Sequence, residues 1–322
     1  MKFLIIGYGS IGKRHANNLK VLVDNKNISI CRQPGEEQIF GFKTFFNLNE
    51  ALLGRPDAAI IAVPTSLHIP VALICAKAGV HLFIEKPLSH NLQGVDELFR
   101  LVRKNKLIVM GGCNIRFHPG MEKIKELIDG GKIGKVISVF SQAGQYLPDW
   151  RPQNDYKNSY SAKKELGGGV ILDLIHEIDY QYWLFGKADA VSAMINKLSN
   201  LNIDTEDNAD ILIRFKNNVQ SNIHLDYIQR HPQRTCQIIG EKGTIIWNYF
   251  DNFLKIFING KETMKSYSDF DKNDMYVREM KHFVSCLKKK SRPLIDLEQQ
   301  IDVLNIATAA KKSQEMRKVI NL

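Results

Sequence analysis

Gly7, Gly9 and Gly12 open the chain with a pattern that could bind a phosphate. They follow the apolar run FLII and precede a segment with helical periodicity, so the spacing G-x-G-x-x-G lies between a strand and a helix. The first glycine permits a tight turn, the second lets the backbone approach a pyrophosphate, and the third lets the helix pack on the strand. We therefore expect a dinucleotide site in which Ser10 and Ile11 also contact the cofactor.

The end of the second predicted strand bears on which dinucleotide binds. An acidic residue there would bind the ribose 2′-hydroxyl of NAD, but the chain has Cys31 and Arg32, and no carboxylate before Glu36. Arg32 suits a 2′-phosphate, which favours NADP(H) over NAD. Alternatively, Arg32 could stack on the adenine, or Glu36 or Glu37 could reach back to the ribose, and NAD would then be acceptable.

A lysine in the segment FIEKPLS could move a proton. Glu85 and Lys86 end an apolar strand and precede a proline, at the edge where open α/β sheets bind ligands. Partial desolvation and a cationic nicotinamide nearby would both favour the neutral form of the lysine. An ordinary surface lysine is the alternative. Glu85 and Lys86 are also candidates for cofactor contacts. The segment VPTSLH ends the preceding strand, so Pro64, Thr65 and His68 are further candidates for such contacts.

The segment LGGGVILDLIHEIDYQYWLFG predicts one helix opened by glycines, with Asp173 and His176 on the same face. At about 100° per residue, Glu177 and Tyr180 share that face. An ordinary amphipathic helix with its polar side in water has the same pattern. The run Gly167–Gly169 favours a functional site, because glycines would let this helix approach another backbone or a ligand.

The elements that must position these residues fall into two predicted domains. Short apolar strands alternate with helix-length segments at the start of the chain, which predicts a doubly wound, parallel Rossmann sheet over residues 1–119. Beyond Ala188, strand-like segments follow one another through short connectors and must pair antiparallel. We expect residues 120–322 to form an α/β domain with a large, mostly antiparallel open sheet, and a C-terminal helical region, broken near Pro293, that could pack back on the first domain.

Composition excludes several classes of protein. The 322 residues are 44% hydrophobic and 24% charged, as in ordinary globular proteins. The net charge of +10 is spread along the chain without a basic arm, so we expect no nucleic-acid partner. Five cysteines lack metal-ligand spacing and predict buried thiols and no metal site. No segment has the length of a membrane span or the pattern of a signal peptide, so the expected location is cytoplasmic.

The motifs together resemble the glucose–fructose oxidoreductase, inositol dehydrogenase and MocA (Gfo/Idh/MocA) family over nearly the whole chain. The segments IIGYGSIGKRH, DAAIIAVPTSLH, VHLFIEKPLS, GGCNIRFHP, GGKIGKVISV, LGGGVILDLIHEIDYQYWLFG and IIGEKGTI stand in the family's order and spacing. The resemblance implies a nicotinamide cofactor, a sugar, nucleotide-sugar or cyclitol substrate, and a homodimer or homotetramer formed through the open sheet.

The resemblance also implies roles for individual residues. Lys86 would hydrogen-bond the reacting oxygen of the substrate, and His176 would exchange the proton of the substrate hydroxyl. Asp173 is a third catalytic candidate, with a less defined role. Many family members have one more residue between the aspartate and the histidine, as in D-x-G-x-H, whereas here the two residues are only three apart. Asp173 could hydrogen-bond the substrate, orient a neighbour, or do neither.

Substrate contacts are expected from the loop-like insert at 146–169, because aromatic rings suit sugar faces and cations suit phosphates or carboxylates. Its candidates are Trp150, Arg151, Tyr156, Tyr160 and Lys164. Asn114 and Arg116 end a first-domain strand, and we expect Asn114 to contact the cofactor and Arg116 the substrate.

The insert resembles those of members from bacterial surface-polysaccharide gene sets, which favours a nucleotide sugar or an acidic sugar over inositol. The sequence is also compatible with two other functions: a reductase like dihydrodiol dehydrogenase or biliverdin reductase, and a non-enzymatic dinucleotide-binding regulator. The EKP and DLIH segments argue against a regulator, which needs neither the lysine nor the histidine.

Overall fold

The apolar runs near the amino terminus form a six-stranded parallel sheet. In the computed structural model, which describes residues 1–322, the strand order is β3-β2-β1-β4-β5-β6. The strands are β1 (Phe3–Ile6), β2 (Ile28–Cys31), β3 (Lys43–Phe45), β4 (Ala58–Ile61), β5 (His81–Glu85) and β6 (Val109–Gly112). All five pairings are parallel, so the predicted Rossmann sheet is confirmed.

Helices connect these strands. They are α1 (Ser10–Lys20), α2 (Leu48–Leu53), α3 (His68–Lys77) and α4 (Val95–Lys104). The sequence patterns predict helices over 10–22, 67–78 and 92–105, which agree with α1, α3 and α4 to within three residues at each end. The patterns miss the short elements β3 and α2. The central strands β1 and β4 are buried along their whole length, because the sheet is covered on both faces.

The rest of the chain builds a nine-stranded mixed sheet in the order β14-β13-β12-β11-β7-β10-β9-β8-β15. The helices α5 (Pro119–Asp129), α6 (Val170–Asp173) and α7 (His176–Phe185) accompany it. The strands are β7 (Val136–Gly144), β8 (Ala188–Asn196), β9 (Asn208–Phe215), β10 (Gln220–Asp226), β11 (Gln233–Gly240), β12 (Gly243–Asn248), β13 (Phe253–Ile258), β14 (Lys261–Ser266) and β15 (Ile320–Asn321).

Antiparallel pairing dominates this sheet, as the sequence predicts. Only β7 and β10 pair in parallel, with Gly144 opposite Asp226, so both strands end at the same edge. The patterns miss β14, in which every residue is exposed, and the two-residue β15.

One face of the nine-stranded sheet is buried and the other is open. On β9 the burial alternates, with Ile211 and Ile213 inside and Leu212 55% exposed. Leu212 belongs to a row of paired residues that runs across eight strands, from β8 to β14 in spatial order. The residues of this row are Ser192, Leu212, Asn222, Phe140, Gln237, Ile246, Lys255 and Met264. Phe140 and Met264 are 50% and 62% exposed, so apolar groups lie on the open face.

The C-terminal region contains two further helices, α8 (Asn273–Lys289) and α9 (Leu297–Met316). They lie on either side of Pro293, where the sequence predicts an interruption. By its internal contacts the chain divides into two units. Unit 1 comprises Met1–Asn114 and Lys272–Ile301, and unit 2 comprises Ile115–Asp271 and Asp302–Leu322.

Candidate active site

Three backbone segments of unit 1 meet at the predicted phosphate-binding turn. Gly7 has a φ of +91°, and a methyl group added to it would lie 2.5 Å from the carbonyl oxygen of Ala62. A methyl group on Gly12 would lie 2.2 Å from the carbonyl oxygen of Gly7. Only glycine fits at these two positions, because any side chain would overlap the neighbouring backbone.

Gly9 differs from the other two glycines, because nothing lies within 4 Å of a methyl group placed on it. It precedes α1, whose amino end has no side-chain cap. The first backbone N–H groups of a helix lack partners inside the helix, and their dipoles favour an anion. The open space at Gly9 and the uncapped helix therefore fit a pyrophosphate held by the N–H groups of Ser10, Ile11 and Gly12.

Arg32 follows β2 as predicted, and its guanidinium is bonded to the nearby residues Glu36 and Glu37. Its Nε lies 3.1 Å from a carboxylate oxygen of Glu36, and Nη1 donates to the backbone carbonyl of Glu37 at 2.5 Å. The same Glu36 oxygen accepts the backbone N–H of Gln33. A guanidinium and a carboxylate thus stand together at the position where dinucleotide-binding proteins recognise the ribose.

The carboxyl end of β5 places Glu85 inside unit 1. Glu85 is 7% exposed, and its Oε1 lies 2.5 Å from Nε2 of His15 on α1. Its Oε2 accepts the backbone N–H of Lys86 at 3.2 Å. Lys86 is half-buried and begins the loop after the strand, which is the place predicted for it.

His68 anchors this loop to the one after β4. The buried ring has Nδ1 2.8 Å from the carbonyl oxygen of Pro87 and Nε2 3.0 Å from that of Val63. Burial lowers the pKa of His68, so the ring is neutral near pH 7 and donates from one nitrogen at a time. His68 therefore joins the two loops, and its cofactor contact stays a prediction.

The remaining cofactor candidates also lie in unit 1. Pro64 and Thr65 follow β4, and Thr65 is buried. Asn114 follows β6 and is 5% exposed, with its amide nitrogen 4.0 Å from the sulfur of Met275. A cofactor role for these three residues stays a prediction.

In unit 2 the predicted single helix is broken. Helix α6 ends at Asp173 and α7 begins at His176, so the projection of both residues onto one continuous helix is wrong. The alternative of a solvated polar face is also wrong, because Asp173, His176, Glu177 and Tyr180 are all buried. The break at Leu174 and Ile175 changes the direction in which the histidine can point.

Asp173 binds two tyrosine side chains. Its Oδ2 accepts the hydroxyl of Tyr227 at 2.6 Å, and it also accepts a hydrogen bond from Tyr160. The aspartate charge and burial raise the pKa of Tyr160, whereas burial is the larger cause of the raised pKa of Tyr227. Of the three predicted roles for Asp173, the structure shows the orientation of neighbours.

Two buried ion pairs hold the first turn of α7, which His176 begins. Glu177 has no exposed surface, and one of its oxygens lies 2.8 Å from Nε of Arg234. Asp179 accepts a bidentate pair of hydrogen bonds from Arg116, at 2.9 and 2.7 Å. Arg116 has no exposed surface either, so the expectation that it contacts substrate is corrected to that of a buried partner for Asp179.

The glycines before α6 are required by close packing. A methyl group on Gly168 would lie 2.3 Å from the carbonyl oxygen of Tyr160, and one on Gly169 would lie 2.4 Å from a carboxylate oxygen of Glu206. The predicted close approach to another backbone is therefore present, and it joins this segment to the insert.

The insert itself is a succession of short 3-10 turns. The ring of Trp150 packs edge-on against Tyr227 at 5.3 Å, and the Tyr156 hydroxyl accepts the backbone N–H of Asn202. Arg151 is exposed and lies 5.9 Å from the ring centre of Tyr160. Lys164 is exposed, and its backbone N–H donates to Asp204.

Sequence reasoning misses several residues around these candidates. His15 stands in the opening stretch GKRH, on the turn after Gly12, and could have been noticed there. Arg230 and Tyr227 follow β10, and the Arg230 guanidinium lies 3.6 Å from the ring centre of Tyr146. Arg234 carries no sequence signal, because its partner Glu177 is far away in the chain.

Family models match both parts of the chain. The oxidoreductase family with an NAD-binding Rossmann fold matches residues 1–113, and the GFO/IDH/MocA C-terminal domain matches residues 121–246. The chain belongs to the Gfo/Idh/MocA oxidoreductase family. The predictions of this family, of an α/β fold with a parallel and a mostly antiparallel sheet, and of an oxidoreductase that uses a nicotinamide dinucleotide are confirmed. The preference for NADP(H) over NAD stays a prediction.

Relatives in the Gfo/Idh/MocA family cover almost the whole chain. Myo-inositol 2-dehydrogenase of Thermotoga maritima is 28% identical over 100% of this chain and 98% of its own length. UDP-N-acetylglucosamine 3-dehydrogenase of Acidithiobacillus ferrooxidans is 24% identical over 89% of this chain and 88% of its own. The WlbA dehydrogenase of Bordetella pertussis, solved with NADH and UDP-GlcNAcA, superposes with a TM-score of 0.87 at 21% identity, covering 100% and 97% of the two chains.

No group of three or more His, Cys, Asp or Glu side chains is arranged to hold a metal ion. None of the helices combines the length and apolar character needed to cross a bilayer.

The glycine turn yields a prediction with a built-in control. Gly9→Ala should leave the free energy of unfolding unchanged, because the methyl group enters open space, yet it should weaken cofactor binding about tenfold or more, which is about 1.4 kcal/mol. Gly12→Ala should instead destabilise unit 1, because its methyl group overlaps the Gly7 carbonyl. Denaturant unfolding and fluorescence titration with NADH and NADPH measure both effects. Unchanged cofactor affinity in Gly9→Ala would contradict a pyrophosphate at this position.

Proposed function

We propose that this oxidoreductase transfers hydride between a nicotinamide cofactor and a secondary alcohol or ketone of a sugar, nucleotide sugar or cyclitol. The observation that carries the proposal is the loop after β5, where Lys86 follows a buried carboxylate at the carboxyl edge of the NAD-binding sheet. Relatives named for inositol and for UDP-N-acetylglucosamine support this substrate range. The cofactor supplies the hydride chemistry, and the protein supplies geometry, charge and proton transfer.

In this proposal, residues 1–119 bind the dinucleotide and residues 120–322 bind the substrate. Lys86 donates a hydrogen bond to the reacting substrate oxygen and stabilises negative charge that develops on it. His176 takes the hydroxyl proton during oxidation and returns it during reduction. Asp173 acts through Tyr160 and Tyr227, which it orients, and is a positioning residue.

A nucleotide sugar or an acidic sugar is the favoured substrate. Arg151 and Arg230 are exposed, neither takes part in an ion pair, and each lies against a tyrosine ring. A guanidinium without a carboxylate partner suits a phosphate or carboxylate group of a ligand. Trp150, Tyr156 and Lys164 are further proposed substrate contacts, and Tyr160 contributes its ring.

Removing the two proposed catalytic side chains tests the function. Lys86→Ala and His176→Ala should each lower kcat by about 10²- to 10⁴-fold, because each removes a group that acts on the reacting oxygen. The cofactor dissociation constant should stay within about threefold of the wild-type value in both variants. Turnover should be measured with nucleotide sugars, sugar acids, neutral sugars and inositols.

The exposed residues Lys104 and His231 provide matched control variants, Lys104→Ala and His231→Ala, which should keep full activity. Full turnover in both test variants, with normal cofactor binding, would show that the catalytic assignment is wrong. A higher kcat/KM for inositols than for anionic sugars would contradict the favoured substrate class.

NADP(H) is the proposed preferred cofactor, supported by the Arg32 guanidinium after β2. Arg32→Asp should weaken NADPH binding about ten- to a hundredfold, as expected for the loss of charged hydrogen bonds, and should weaken NADH binding much less. Titration of both cofactors measures the difference. Equal losses would contradict a contact between Arg32 and a 2′-phosphate. Glu36→Gln is the companion variant, and a selective loss of NADH affinity there would show that Glu36 binds the ribose of NAD.

A homodimer or homotetramer formed through the open sheet face is the proposed assembly. The exposed apolar row around Leu212 and Phe140 supports it, since a patch of this kind favours association. Leu212→Asp should convert the oligomer to monomers, because it places a charge in the middle of the row. Light scattering after size exclusion measures the mass, with Lys216→Asp, on the neighbouring hairpin turn, as the control. A monomeric wild-type protein at all concentrations would contradict the assembly.

A further inference from the structure

A buried histidine connects the phosphate-binding helix to the lysine loop within unit 1. His15 lies on α1, in the turn after Gly12, and it has no exposed surface. Its Nε2 is 2.5 Å from Oε1 of Glu85, and the other oxygen of Glu85 accepts the backbone N–H of Lys86 at 3.2 Å. One carboxylate therefore joins the helix that meets the cofactor phosphate to the backbone of the lysine.

We propose that His15 and Glu85 are positioning residues that hold Lys86 at a fixed distance from the dinucleotide-binding turn. The inference rests on the proposed function of Lys86 and extends it to two residues that touch neither substrate nor the reacting atoms. Because α1 starts at the pyrophosphate position, any shift of this helix is transmitted through a short, buried pair to the lysine loop. The pair sets the distance between bound cofactor and lysine.

The surroundings leave Glu85 little freedom to rotate. A methyl group added to Gly112, on the neighbouring strand β6, would lie 2.9 Å from Oε1 of Glu85. The His15 ring is in edge contact with Phe83, with ring centres 5.1 Å apart, and with Tyr276 at 6.3 Å. Packed side chains with satisfied hydrogen bonds keep a single rotamer. The two oxygens of Glu85 therefore keep their hydrogen bonds with His15 and with the Lys86 N–H.

The protonation of His15 follows from its other nitrogen. Nδ1 is buried and has no hydrogen-bond partner. A charged ring would leave a buried N–H donor unsatisfied there, whereas a neutral ring with its proton on Nε2 leaves only an acceptor lone pair. We therefore assign the Nε2–H tautomer, in which His15 donates to Glu85. The two donors meet different oxygens of the Glu85 carboxylate, and a glutamine would replace one of these acceptors with an NH2 donor.

The loop is held from the following residue as well. His68 lies 2.8 Å from the carbonyl oxygen of Pro87 and 3.0 Å from that of Val63. Hydrogen bonds therefore hold the backbone on both sides of Lys86, through Glu85 on its amino-terminal side and through Pro87 on its carboxyl-terminal side. Two buried histidines from two different elements share this task, and His15 is the one that reaches from the phosphate-binding helix.

The test compares His15→Asn and Glu85→Gln with the wild-type enzyme in its full chain. Both variants should lower kcat by about 10- to 100-fold, the loss expected when a catalytic group moves by about 1 Å, while KM and the cofactor dissociation constant change by less than about threefold. Glu85→Gln keeps the size of the side chain and serves if His15→Asn folds poorly. His81→Asn is the matched control, because His81 begins the same strand and accepts the Ile108 N–H at 2.9 Å, away from Lys86.

A second readout needs neither substrate nor cofactor. Hydrogen–deuterium exchange of peptides covering 83–90 should be faster in His15→Asn and Glu85→Gln than in the wild type. Glu85→Gln removes the carboxylate that accepts the Lys86 N–H, and His15→Asn removes the ring that holds this carboxylate in place. The control His81→Asn should leave exchange of this loop unchanged. Unchanged exchange and unchanged kcat in both test variants would overturn the proposal.

Combining each variant with Lys86→Ala separates positioning from a general structural role. If His15 acts through the lysine, His15→Asn should have almost no further effect on kcat in the Lys86→Ala background. The same fold loss in both backgrounds would overturn the proposal and assign His15 to stability alone. Failure of the underlying function looks different, because Lys86→Ala by itself would then retain full turnover.

Discussion

Close backbone packing at the edge of the parallel sheet is the constraint on which the candidate site depends. The carbonyl of Gly7 occupies the space where a Gly12 side chain would stand, and the carbonyl of Ala62 occupies that of Gly7. This stacking brings the end of β1, the start of α1 and the end of β4 together without any side chain between them. The amino end of α1 therefore has a fixed direction, and a ligand phosphate can approach the backbone N–H groups in the open space at Gly9.

The loops that follow later strands of the parallel sheet lie at the same edge as the glycine turn. Strands β1, β4, β5 and β6 are neighbours in the parallel sheet, so their carboxyl ends and following loops lie side by side. Buried histidines then join the loops: His15 bonds Glu85, and His68 bonds the backbone of Val63 and Pro87. These hydrogen bonds connect the glycine turn, through α1, to the loop of Lys86 within unit 1.

In unit 2, the first turn of α7 begins with the candidate acid/base His176 and carries two buried acidic side chains, Glu177 and Asp179. Arginine side chains from outside the helix accompany Glu177 and Asp179 in the first turn of α7. Loss of one partner of such a pair is strongly destabilising, whereas the intact pair specifies one arrangement of the helix. Asp173, which is 2% exposed, accepts hydrogen bonds from two tyrosine hydroxyls.

The strands can be predicted where their side chains are buried in a regular pattern, as in β9 and β10. Strand β14 was missed because its sequence KETMKS is exposed on both faces and has no apolar alternation. The patterns miss the break between α6 and α7 because Leu174 and Ile175 are ordinary helix residues. The residues on either side of the break, Asp173 and Glu177, contact partners far away in the chain. Local periodicity does not register such contacts.

By itself the sequence determined the parallel sheet, the glycine turn, the position of Lys86 after an apolar strand, and the family. These features depend on local spacing and on burial patterns within single elements. Only the tertiary structure decided which buried groups meet: His15 with Glu85, 70 residues apart, and Arg116 with Asp179, 63 residues apart. Arg116 was expected at the substrate, since a sequence shows that a charge exists but not which distant charge neutralises it. Partners of buried charges are chosen by the fold as a whole, because the energy of a charge pair depends on distance and solvent exclusion in space.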